Sequence, residues 1–127
     1  MQDRPTAGEL LEALGEFMRD RAANARDRWE RFQFQVAANS LAVLQRELAM
    51  EDGYMAEEWA GLDALIGGEE RPHAQAEFAS RLEERNAELV LRIRGGEFDG
   101  EREDVLLRHL CATVLNKVRI ASPGEAV

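Results

Sequence analysis

The residues able to do chemistry are few, and the most suggestive of them share one stretch. Gln33, Ser40 and Glu47 follow one another at seven-residue intervals, with Asn39 beside them. On a helix that spacing forms a single row, and here the row lies inside an apolar arc. Asn86 interrupts the row Phe78, Leu82, Leu89 and Ile93, and Lys117 aligns with Leu110, with Thr113 at the margin. A polar group left unpaired in such a place costs on the order of 1–3 kcal/mol, and a charge costs more. Glu47 and Lys117 are therefore expected to pair, with Gln33, Asn39 and Asn86 extending the pair by hydrogen bonds. Gln33, Asn39, Ser40, Glu47, Asn86 and Lys117 form the candidate ligand-binding seam. The same seam also reads as a network that only fixes helix register.

Other chemistry lacks its parts. A di-metal carboxylate site in a helical bundle needs Glu-x-x-His pairs, and neither His73 nor His109 has a Glu three residues before it. Both are expected at the surface or its boundary, and no metal or cofactor is expected. There is no Gly-rich phosphate loop and no Gly-x-Ser-x-Gly elbow. Cys111 is the single cysteine, so no internal disulfide can form, and it reads as a small buried hydrophobe. An enzyme using Glu47 as base beside Lys117 is the weakest of three functional readings, because no catalytic constellation is complete.

Charge narrows the partners. A net charge of −9, with 25 acidic and 16 basic side chains, opposes binding to nucleic acid and to anionic membranes. Runs such as Arg19-Asp20-Arg21 and Arg26-Asp27-Arg28 read as solvated helix faces. The opening Met1-Gln2-Asp3-Arg4-Pro5 does not resemble a signal peptide, and no apolar run reaches the length of a membrane span. A cytoplasmic location is expected.

The elements that must position these residues are all helical. Leu, Ala, Glu and Arg dominate, and aromatic residues make up only 6%. A first helix is expected from Thr6, where Thr6 and Glu9 fit a capping box, and a break is expected near Asn24. A second helix spans about Arg26 to Met50, so widely apolar from Trp29 to Leu48 that it should be central. Gly53 is expected to end it. A third helix carries Met55, Trp59, Leu62 and Ile66 up to Gly67-Gly68, and the loop to Pro72 should be the longest. A fourth stops at Gly95-Gly96, and a fifth carries Leu106, Leu107, Leu110, Val114 and Val118. The expected fold is an all-α antiparallel bundle of four to five helices, one domain over residues 1–127, with 121–127 a flexible tail.

Asp3-Arg4-Pro5-Thr6-Ala7 followed by Glu9-Leu10-Leu11-Glu12-Ala13, then Val36-Ala37-Ala38-Asn39, Arg46-Glu47-Leu48, and Ala112-Thr113-Val114 with Lys117, carry a resemblance. Together they resemble a family of small bacterial helical proteins without assigned function. That resemblance implies genes beside aminoglycoside-phosphotransferase-like and acyl-CoA-dehydrogenase-like proteins. It thus implies a non-enzymatic accessory or protein-interaction domain that partners a phosphotransferase-like protein. The alternative is a binder of acyl or hydroxyacyl small molecules at the polar seam. Trp29, Trp59, Phe32 and Phe34 exceed what one small core must absorb, so a homodimer patch is a further expectation.

Overall fold

A computed structural model describes residues 3–126. Met1 and Gln2 of the opening segment, and Val127 of the expected tail, lie outside the described residues. Those described are all-α: α1 spans Ala7–Ala23, α2 Arg28–Ile66, α3 Gln75–Arg94 and α4 Glu103–Ala121. The stretch read as a tail carries a single 3-10 turn, Pro123–Glu125.

The first helix starts as its sequence dictates, with Thr6 Oγ1 accepting from the Glu9 N–H at 3.2 Å. It ends at Asn24, whose N–H and side-chain amide both donate to the Asp20 carbonyl. The second helix begins two residues later than expected. Asp27 Oδ1 accepts from the Glu30 N–H at 2.8 Å, and Glu30 Oε2 accepts from the Arg26 N–H at 2.9 Å. Asp27 thus caps α2 as Thr6 caps α1, while Glu30 reaches one residue further back than a capping box would, to the Arg26 N–H.

Gly53 does not break the chain, contrary to expectation. α2 continues through it for 39 residues, merging the expected second and third helices. A helical glycine costs only about 1 kcal/mol against alanine, and the good helix formers on both sides outweigh it. Gly67, by contrast, takes φ +102° and does stop the helix.

Two compact units divide the chain, Met1–Glu51 with Ile120–Gly124, and Asp52–Arg119 with Glu125–Val127. In the first, α1 and the opening half of α2 form an antiparallel hairpin. Arg19, Ala22 and Ala23 stand beside Arg31, Gln35 and Ala38 near the turn, and Ala7, Leu10 and Leu11 beside Leu44 and Leu48 at the other end. Its buried residues are small, namely Gly15, Ala22 and Ala38. The Arg46 guanidinium donates to the Ile120 carbonyl at 2.7 Å.

The second unit holds the main core: Trp59, Leu62 and Leu65 of α2, Phe78, Leu82 and Leu89 of α3, with Phe98 and Leu106. α4 runs opposite to α2, since Arg102 reaches the Leu65 carbonyl and Asn116 reaches Glu57. α3 runs in the same sense as α2, because Gln75 bonds Asp52, Phe78 packs on Trp59 and Arg85 pairs with Asp63. Residues 67–74, at about 3.3 Å each when extended, are long enough to carry the chain back along the helix.

Arg85 ties that returning segment down. It is 1% exposed, stacks 4.3 Å from the Trp59 ring centroid, and donates to Asp63 Oδ1 at 2.8 Å and to the Gly67 carbonyl at 2.7 Å. Trp59 Nε1 donates onward to the Glu69 carbonyl at 3.2 Å, and the Glu69 N–H donates to Asp63. Glu69 also takes a two-pronged bond from Arg81, which holds its carboxyl below the ordinary carboxylate value.

Two expected outcomes follow from this architecture. Asp63→Ala strands the buried Arg85 charge and lowers unfolding free energy by about 3 kcal/mol, read from the urea midpoint. Gly53, with open space around it, and Gly61, where a Cβ would overlap the His109 ring, respond oppositely to alanine. Gly53→Ala stabilises by about 0.5–1 kcal/mol and Gly61→Ala destabilises by about 1–3 kcal/mol, both read from thermal melts.

Candidate functional site

The polar row expected inside the bundle lies largely open. Gln33, Asn39, Ser40 and Lys117 are exposed, while Glu47 and Asn86 are half-buried. Ser40 Oγ satisfies itself on the Val36 carbonyl at 2.9 Å, one turn back on its own helix. Asn39 lines a shallow groove with Arg19, Arg31 and Gln35. Gln33, Asn39, Ser40 and Glu47 belong to the first unit, and Asn86 and Lys117 to the second. The expected centrality of Trp29–Leu48 fails for the same reason: Trp29 is 66% exposed, Phe32 55% and Leu48 57%. An apolar arc so wide needs several neighbouring helices to cover it, and in its own unit this stretch has chiefly α1.

In the second unit a different polar cluster appears. Asn86 Nδ2 donates to Glu58 Oε1 at 3.0 Å and to the Leu82 carbonyl at 3.1 Å. On α4, His109 packs directly on the backbone of Gly61, where no side chain larger than hydrogen fits. Burial pushes the His109 imidazole below its ordinary value of 6.5, and the Glu58 charge opposes that shift. The ring thus stays neutral near pH 7. One turn on, Thr113 Oγ1 donates to the His109 carbonyl at 2.9 Å. Asn116 Nδ2 donates to Glu57 at 2.7 Å and its Oδ1 accepts from Arg119.

This cluster has a base and a carboxylate but no nucleophile. Thr113 is spent on its own helix, and Cys111 lines an outward groove with Leu110 and Val114. Cys111 is exposed, correcting its reading as a buried hydrophobe. Among the described residues, no group of three or more His, Cys, Asp or Glu could hold a metal. Nor is any described helix long and apolar enough to cross a membrane. Asn86 was legible as a pattern break, whereas the His109–Gly61 contact joins positions far apart in sequence and carries no local signal.

The hairpin carries a row of exposed apolar side chains. Leu10, Leu14 and Phe17 recur at helical spacing on α1 and are 49%, 47% and 55% exposed. Leu44 and Leu48 of α2 stand beside Leu10 in an open groove of about 470 Å³, edged by Glu47 and Glu51. Further along, Arg21 lies 5.3 Å from the Phe34 ring centroid. Away from this face Trp29 and Phe32 stack on one another at 5.9 Å. Of the four aromatics expected at a surface patch, Trp59 is instead 5% exposed in the core, edge-on to Phe78.

The family described as a domain of unknown function, DUF6285, matches residues 23–125, and the chain belongs to it. The match begins at the end of α1. No curated protein and no solved structure matches the chain.

The His109 environment predicts a pH dependence. Its folded value lies below 6.5, so the unfolded chain binds the proton more readily than the folded one. Stability is therefore full above 6.5 and falls as pH drops from there towards the lower folded value. Urea midpoints measured from pH 8 down to pH 5 should decline, and His109→Gln should flatten that part of the profile.

Proposed function

We propose that the chain, a member of a family of unknown function, is a non-enzymatic accessory domain that works by binding other proteins. The observation that carries this reading is the hairpin face. Leu10, Leu14, Phe17, Leu44 and Leu48 are each about half exposed or more on helices whose own packing buries only small side chains. Exposed contiguous apolar surface, rimmed by charge, marks interaction sites on soluble domains. Beside His109, the Thr113 hydroxyl is taken up by the His109 carbonyl. The heterologous partner implied by the family resemblance is a phosphotransferase-like protein.

A second reading rests on the groove beside Glu47. It has apolar walls of Leu10, Leu11, Leu44 and Leu48, which suit an acyl chain. Its rim carries Glu47 and Glu51, which repel the carboxylate or phosphate head that such molecules bear. Protein docking is therefore favoured.

Calorimetric titration of the purified chain against the phosphotransferase-like protein tests the binding role. Saturable binding is expected, weakened at least tenfold, about 1.4 kcal/mol, by Leu14→Glu with Phe17→Glu. Both side chains are exposed, so circular dichroism should show the helices intact. Equal affinity for wild type and variant would remove this face as the docking surface.

A further inference from the structure

The hairpin face has a partner chemistry written into its own charges. We propose that it is covered by a second copy of this chain, packed face to face and antiparallel, so that two hairpins close a four-helix bundle. This rests on the reading of the face as a docking surface and names its occupant.

Area is the first argument. Leu10, Leu14, Phe17, Leu44 and Leu48, with the half-buried Phe34 and Leu41 between them, form one apolar strip along the hairpin. Such a strip offers on the order of 600 Å² per copy, and about 1,200 Å² for a pair reaches the lower bound of a stable specific interface. The hairpin also gains what it lacks. Two helices bury little between them, whereas a second pair supplies the two missing walls of a four-helix core.

Charge selects the second copy and its direction. Around the turn, residues 19–31 hold five arginines (19, 21, 26, 28 and 31) against three acids (20, 27 and 30), a net +2. At the opposite end, residues 3–16 and 44–51 hold six acids (3, 9, 12, 16, 47 and 51) against two arginines (4 and 46), a net −4. Each hairpin is thus positive at the turn and negative at the open end. A two-fold axis across the strip lays each positive end on the partner's negative end, twice over. The parallel arrangement would bring like charges together at both ends. A symmetric pair needs this kind of self-complementary patch, and rim charges of this sort decide register and partner more than total affinity.

Sedimentation velocity on the full chain tests the proposal. At low salt, a dimer is expected at up to about 200 µM, with Leu14→Glu plus Phe17→Glu giving a monomer of unchanged helicity. Two charge variants test the direction. Arg21→Glu with Arg28→Glu takes the turn end from +2 to −2, and Glu12→Arg with Glu47→Arg and Glu51→Arg takes the open end from −4 to +2. Each alone should dimerise at least tenfold more weakly, and an equimolar mixture should form a heterodimer, because both ends are then complementary again. A wild type that stays monomeric throughout overturns the self-pairing and leaves the docking role to the phosphotransferase titration. A dimer that survives Leu14→Glu with Phe17→Glu overturns the self-pairing through this face. A dimer lost in that variant but indifferent to the charge reversals overturns the antiparallel arrangement.

Discussion

A full positive charge buried at Arg85 is the constraint around which the second unit is organised. Removing a guanidinium from water is expensive, and it is tolerated only where every donor direction is answered. Here the answers come from three places: the Asp63 carboxylate, the Gly67 carbonyl and the face of Trp59. Each partner lies on α2 or just beyond its end. By binding all of them from α3, Arg85 fixes where the chain must go after the helix stops. The segment 67–74 is held against the helix that it has just left, and α3 consequently starts level with Asp52. The parallel course of α2 and α3 follows from that, and so does the placing of Phe78 and Leu82 against Trp59 and Leu62.

The hairpin obeys the opposite logic. Its fully buried residues are Gly15, Ala22 and Ala38, too small to form a core by themselves. The large apolar side chains of both helices are left pointing along the sides. In a monomeric domain such groups would ordinarily find a third or fourth helix. Here they stay exposed, as do Gln33, Asn39, Ser40 and Lys117 of the expected interior seam.

Much of the local architecture was legible from residue types alone. Thr6 and Glu9 marked the first helix, Asn24 its end, and Gly67, Gly95 and Gly96 the later stops, because caps and positive φ values act within a few residues. The two failures of local reading are instructive. A lone glycine such as Gly53 weakens a helix without ending it, so α2 runs on to Ile66. The start of α2 moves to Arg28 because Asp27 caps it with the same side-chain bond to the third residue on that Thr6 makes in α1.

Composition and periodicity therefore determined an all-helical chain, most of its helix ends and the apolar rows along each helix. They did so because hydrogen bonding and capping are settled between near neighbours. Only the tertiary structure decided which of those rows are covered. Trp59 is buried and Trp29 exposed on the same helix, Arg85 is interior although nothing in its sequence setting distinguishes it from Arg81, and His109 rests on Gly61. Burial is a property of what lies opposite, and what lies opposite is set by partners distant in the chain.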